Sequence, residues 1–309
     1  MKESNKKRRL ADLGAEALAD AFLELATHDD AADDLVERLI ATPKENINRF
    51  KKKLSSLKRS RRFIQWGESA AFAHELETLL QDLKTGVDDP CLGAELSVAF
   101  YETDKGVLGN CDDSSGHVGD VYRFDAKELF IGYAQCCGAK DWLANLVIKL
   151  SLKDDYGVRD TLIDCAVEYL PEPNIRVMIQ KLQGLADKEK EEYQKRHWLH
   201  LVESLARQIK DAPLFEKTRI ASWGKLSTAA CVDIAQVYLK NGDARTSLNC
   251  AYSIEVGATC SIDSGHPYRS GATQYFFLYR QFPYSVKLAF FFLIETPFIL
   301  KTVQLPFLG

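Results

Sequence analysis

Between Tyr101 and Phe124 the chain reads YETDKGVLGNCDDSSGHVGDVYRF, and five residues in it have side chains suited to ligand chemistry: Cys111, Asp112, Asp113, His117 and Asp120. Carboxylates and an imidazole bind divalent cations, and a thiolate adds a soft donor. Gly106, Gly109, Gly116 and Gly119, with Asn110, Ser114 and Ser115, supply the turn formers that would fold them into one loop. Residues 110–120 are therefore the candidate metal or small-ligand loop. The spacing matches no defined metal signature. On an EF-hand template with Asn110, Asp112 and Ser114 as first ligands, the required Gly falls on Ser115 and the closing Glu on Val121. Ser114 or Ser115 with His117 lacks the strand-to-helix turn that presents a hydrolase nucleophile. The competing reading is an ordered connector, whose Asp and Ser side chains cap the backbone and start the next helix. It is the reading we favour, with no resident cofactor.

The second constellation is electrostatic. Lys44, Arg49, Lys51, Lys52, Lys53, Lys58, Arg59, Arg61 and Arg62 are opposed in that interval only by Glu45. Such a run would neutralise phosphates and release counterions, giving sequence-independent affinity for nucleic acid. No exposed aromatic of the kind that stacks bases is expected among these cations, and the formal net charge of the chain is −4 with a pI near 5.9. Both points favour a solvated helix face.

Other chemistry is sparse. His197 and His200 lie three apart beside Tyr193 and Trp198, match no defined metal signature, and read as packing residues. The eight cysteines, at 91, 111, 136, 137, 165, 231, 250 and 260, form no CxxC pair and read as reduced thiols of a cytoplasmic protein. Cys136 and Cys137 read as two small buried residues before Gly138. GxxxxGK[ST], HExxH and GxSxG motifs are absent, as is a GxGxxG after a strand, so the chain is not expected to be an enzyme.

The elements that must hold these residues are helical. Leu10, Leu13, Ala17, Leu18, Ala21, Phe22 and Leu25 recur at helical spacing and predict one helix over 9–26 that needs a partner for its apolar stripe. A short helix over 29–40 follows. Thr42, Pro43 and Glu45 then spell a capping box and open a helix to about Lys58, with Ile47, Phe50, Leu54 and Leu57 inward. Further helices are expected over 68–84, with Trp66 as a packing anchor ahead, over 90–101, and from Asp120 or Asp125 onward. After Trp142 short breaks separate amphipathic runs at 142–150, 158–170, 175–185, 193–209 and 228–239. Helices joined by short loops pack antiparallel on their neighbours, and a series of such pairs makes an α-solenoid. The stretch ACVDIAQVYLKNGD at 230–243 carries half of a tetratricopeptide-like repeat.

The expected organisation is a basic helical unit over 1–100, the polar loop over 101–124, a repeat unit over 125–246, and a tail over 247–309. That tail holds few charges and a crowd of aromatics without periodicity. Its longest uninterrupted apolar run, 288–294, is far below the roughly 20 residues a membrane span needs, and Pro283 and Pro297 stand on either side, so no span is expected. We read it instead as the product of a reading frame lost between about 244 and 260, a non-native C-terminus.

The runs ESAAFAHELETLLQDL, VLGNCDDSSGHVGDVYRF, DYGVRDTLIDCAVEYLPEP, HWLHLVESLARQIKDAPLFEKTRIASWG and TAACVDIAQVYLKNGDA together resemble an uncharacterised bacterial helical-repeat family of unknown function, associated with proteins that carry SWIM-type zinc fingers. The resemblance spans about residues 8–247 and implies an all-α, TPR/HEAT-like fold with no catalytic residues. The SWIM pattern itself, CxC followed by CxH, is missing, so no zinc role carries over. The sequence thus reads as an all-α, solenoid-like array of antiparallel helix pairs with an irregular tail. It would act as a cytoplasmic scaffold that binds a protein partner on its concave face. Nucleic acid held by the basic helix 44–62 is the alternative, and the 110–120 ligand loop is third.

Overall fold

A computed structural model describes residues 2–224 and 226–255. Among them all regular structure is helical, apart from one isolated bridge between Ile64 and Cys111. Contacts divide the chain into two compact units, Met1–Leu162 and Ile163–Gly309.

The first unit begins with α1 (Lys2–Ala11) and α2 (Ala15–Ala26), where the sequence predicts one helix. Gly14 breaks it by adopting φ +87°, a conformation that only glycine takes without strain. The expected buried stripe does not form: α2 buries none of its residues, and Leu10, Leu13, Phe22 and Leu25 are exposed. α3 (Asp30–Ile40) packs on α2, and α4 (Pro43–Arg59) follows. Its capping box is formed as read: the Glu45 backbone N–H donates to Thr42 Oγ1, and the Thr42 N–H donates to the Glu45 carboxylate at 2.7 Å. Phe50 and Leu54 are buried against α5 (Ser69–Gly86).

α6 (Pro90–Tyr101) starts at Asp89, whose carboxylate accepts from the backbone N–H groups of Cys91 and Leu92. The stretch expected to be a loop is largely helical. α7 (Asp104–Gly109) and α8 (His117–Asp120) occupy it, and a π-helical turn over Val121–Ala126 carries α8 into α9 (Lys127–Cys136). Only residues 102–103 and the turn around 110–116 lie outside helix. α9 packs on α6 so closely that any Cβ at Gly93 would collide with the Tyr133 ring.

That approach corrects the reading of the cysteines. Cys91 and Cys137 form a disulfide with their Cα atoms 5.0 Å apart. Cys136, expected to be buried, is exposed. The partners lie 46 residues apart, a separation no spacing motif announces, and their pairing removes the thiol argument for a reducing compartment.

The unit ends with α10 (Lys140–Ser151) and a 3₁₀ turn at Asp160–Leu162; with a second such turn at Ala166–Glu168, where the next unit begins, it replaces the helix expected over 158–170. The reason is local. The Asp154 carboxylate accepts from the backbone N–H groups of Tyr156, Gly157, Arg159 and Asp160, and this side-chain nest replaces a helical start. Val158 and Leu162 are buried all the same, which explains the helix-like apolar pattern.

The second unit is a run of helices in which each packs on the next: α11 (Glu172–Lys188), α12 (Glu192–Gln208), α13 (Ala212–Trp223), α14 (Thr228–Lys240) and α15 (Ala244–Glu255). α13 was not anticipated, although Asp211 before Ala-Pro is a helix start and its carboxylate caps Leu214. Phe215, Ile234, Ala235, Val237, Tyr238 and Cys250 belong to the core cluster around α13, α14 and α15. No helix of the described residues is long and apolar enough to cross a membrane. The frame-loss reading and most of the aromatic tail lie outside the described residues.

Candidate functional site

The polar loop is built around a backbone bridge. The Ile64 N–H donates to the Asn110 carbonyl at 2.8 Å, and the Asp112 N–H donates to the Ile64 carbonyl at 2.9 Å. Past this tether the side chains turn inward on their own backbone. The two oxygens of Asp113 accept from the N–H groups of Val118 (2.9 Å) and Gly119 (2.8 Å), capping the helix that begins at His117. Asp112 accepts from the backbone and hydroxyl of Ser114. Gly116 sits at φ +80° to close the turn. Cys111 is buried, and burial, with Asp113 and Asp112 nearby, pushes its thiol up, opposite to what a nucleophile or thiolate ligand needs. His117 is exposed, and Asp120 lies 3.6 Å from Arg123 on the surface. Cys111, Asp112, Asp113, His117 and Asp120 do not converge, and among the described residues no three His, Cys, Asp or Glu side chains form a group that could hold a metal ion.

Beneath the loop is a buried polar cluster that sequence reasoning missed. Asp104 and Arg159 form a bidentate ion pair at 2.7 and 2.5 Å, with side chains 1% and 6% exposed, and Arg159 also donates to the Leu150 carbonyl. Tyr101 donates to the Tyr122 carbonyl at 2.7 Å, and the Tyr122 and Thr103 hydroxyls are 2.7 Å apart. Burial pushes the Tyr122 phenol well up, so it stays protonated. The ion pair joins α7 to the turn after α10, and the tyrosines join the end of α6 to the π-helical turn. Nothing in the sequence signals that Asp104 and Arg159, 55 residues apart, would meet.

The basic run divides into cations that face a carboxylate and cations that do not, of which Arg59 donates to the Ser55 carbonyl at 3.0 Å. Arg49 faces Glu37 at 3.7 Å, Lys53 faces buried Asp82 at 3.9 Å, Lys58 meets Glu102 at 3.1 Å and Arg62 meets Glu68 at 2.5 Å. Lys44, Lys51, Lys52, Arg59 and Arg61 are exposed and face no carboxylate within ion-pair distance among the described residues. On α4, Lys52 and Arg59 sit across the helix from Phe50 and Leu54, and Lys44 and Lys51 flank that apolar face. Within the run the one aromatic, Phe50, is buried, as expected, but exposed aromatics follow directly after it. Phe63 is 50% exposed, and Trp66, expected to anchor packing, is 62% exposed. The residues from Arg59 to Trp66 are all exposed except Ile64.

The second unit holds another exposed set. Trp198 is buried as expected, but Tyr193 is 86% exposed and Trp223 is 59% exposed. Tyr193 and Arg196 share one face of α12, and the Arg196 guanidinium lies over the Trp223 ring at 5.4 Å. His197 packs against the ring of Trp198 and His200 points to the surface, so the two histidines are not a ligand pair. A network holds this platform rigid. Arg219 pairs with Glu203 at 3.0 Å and with Asp233, which also binds Arg207 at 3.0 Å, while Arg207 and Arg219 lie over the Phe215 ring. Burial pushes the Glu203 carboxyl above the usual carboxylate range, and Arg219 and Ser222 oppose the shift.

Residues 2–237 match the model of a family of unknown function (DUF6880), and the chain belongs to that family. A repeat class and a SWIM association are no part of that match. Neither a curated protein nor a solved structure matches the chain.

Proposed function

We propose that the protein is a non-enzymatic protein-interaction scaffold whose second unit is a TPR/HEAT-like solenoid. The observation that carries this reading is the Tyr193, Arg196 and Trp223 surface. Tyr, Trp and Arg are the residue types that dominate binding energy at protein interfaces, and here all three lie together, exposed, on two packed helices. Ile220, one turn before Trp223 and 37% exposed, adds apolar area. The polar network of Glu203, Arg219 and Asp233 fixes the helices beneath, so little ordering cost would fall on the partner's binding.

The solenoid reading is supported by the succession of helix pairs and by the turn between α14 and α15. Gly242 takes φ +87°, the Asp243 N–H donates to the Tyr238 carbonyl, and the Asp243 carboxylate caps Thr246, so the Asn-Gly-Asp turn folds one helix back on the next. The test is affinity capture with the full chain and with Tyr193→Ala/Trp223→Ala, read by quantitative mass spectrometry. The double variant is expected to lose at least one partner by tenfold or more while its thermal midpoint is unchanged. An identical set of captured proteins would overturn the proposal.

A further inference from the structure

We propose that the segment from Arg59 to Trp66, with Lys51 and Lys52 on α4, binds single-stranded nucleic acid without reading its sequence. The cations would hold phosphates and the rings of Phe63 and Trp66 would stack on bases. This surface is in the first unit and is independent of the platform proposed for a protein partner.

Three observations converge on it. The first is charge. Lys51, Lys52, Arg59 and Arg61 are exposed and face no carboxylate within ion-pair distance among the described residues, whereas their neighbours Arg49, Lys53, Lys58 and Arg62 are engaged by Glu37, Asp82, Glu102 and Glu68. A set of cations left without counter-charges suits a polyanion, whose binding releases condensed counterions. The carboxylates closest along the chain and across the bridge do not compete: Glu68 holds Arg62, Glu102 holds Lys58, and Asp112 is bonded to Ser114.

The second is the pair of aromatic side chains. Phe63 and Trp66 are 50% and 62% exposed, and within this stretch only Ile64 turns inward. Because successive side chains of an extended segment alternate, burying Ile64 sends Phe63 and Gln65 outward. An exposed Phe and Trp beside Arg59 and Arg61, which face no carboxylate among the described residues, reproduce the combination that single-strand binders use, where any base offers a π face and guanidinium groups add cation–π attraction.

The third is rigidity. Both backbone polar groups of Ile64 are bonded, to Asn110 and Asp112, and the Trp66 carbonyl accepts from Ser69 Oγ at 2.8 Å. The rings are therefore presented on a fixed backbone, so binding orders little chain. This also gives the polar loop a role: it is the strut that holds the aromatic segment. In a duplex the bases already stack on one another, which leaves Phe63 and Trp66 without a face to cover. Single strands are thus the better fit.

The test is fluorescence anisotropy of the full chain with a labelled mixed-sequence 20-mer, as single-stranded DNA, single-stranded RNA and DNA duplex, at about 50 and 200 mM salt. Single strands are expected to bind at least tenfold tighter than duplex. Four phosphates neutralised at a slope near −0.7 each correspond to about a fiftyfold loss over that salt range. Phe63→Ala and Trp66→Ala should each weaken single-strand binding about tenfold or more and leave duplex binding unchanged, while Trp66→Phe retains most of it. Lys51→Glu/Lys52→Glu should weaken both and flatten the salt dependence. Equal binding of single strand and duplex, indifferent to both aromatic variants, would overturn the proposal in favour of a plain electrostatic face. No binding of any nucleic acid, with binding of polyglutamate that depends on the same residues, would overturn it in favour of an acidic protein site.

Discussion

The loop at 110–120 and the segment at 59–66 touch each other through the Ile64 bridge, yet they are opposites. The loop is rich in residue types that could do chemistry, and its groups are mostly engaged: Asp113 caps a helix, Asp112 holds Ser114, and Cys111 is buried with its thiol pushed up. The segment reads as a basic run followed by packing residues, and it leaves Arg59, Arg61, Phe63 and Trp66 in solvent. Residue type shows what a side chain can do. Whether it is free to do it depends on which backbone groups lie within reach, and buried N–H groups must find acceptors first.

The comparison makes predictions that grade from large to small. The buried cluster under the loop should be the most sensitive place. Asp104→Ala or Arg159→Ala leaves an uncompensated buried charge and is expected to cost about 3–5 kcal/mol, read from the urea midpoint. Breaking the Cys91–Cys137 bond, by reductant or by Cys91→Ser, reopens a 46-residue loop and should cost up to about 4 kcal/mol on the chain-entropy estimate. Asp113→Ala, which frees two backbone N–H groups, is expected to lose about 1–2 kcal/mol. Phe63→Ala and Trp66→Ala should change stability by no more than about 0.5 kcal/mol, because both side chains are at least half exposed and lie outside the buried core. If the aromatic variants proved as damaging as Asp113→Ala, the contrast between an engaged loop and a free segment would fail.

How much of this was legible in the sequence follows from the range of the interactions. The α4 capping box was readable because Thr42, Pro43 and Glu45 are neighbours in the chain. Helices α5, α6, α10, α11, α12 and α14 announced themselves by spacing and breaks. α13 was overlooked despite Asp211, because Phe215 and Ile220 give only a thin apolar stripe. The helix expected over 158–170 failed because a single carboxylate, Asp154, gathers four backbone N–H groups and outcompetes the helical ladder. The Cys91–Cys137 bond, the Asp104–Arg159 pair and the outward rings of Phe63, Trp66, Tyr193 and Trp223 all depend on contacts, or their absence, between distant segments, and periodicity carries no record of those.

The most direct test sets the two kinds of residue side by side in one quantitative capture experiment, with the full chain, Asp112→Ala/His117→Ala and Tyr193→Ala/Trp223→Ala compared at equal fold content. The expected result is that the loop variant retains the partners of the unaltered protein while the Tyr193 and Trp223 variant loses them. Loss of partners from the loop variant, with the other variant unaffected, would contradict the placing of function on the exposed aromatic surfaces.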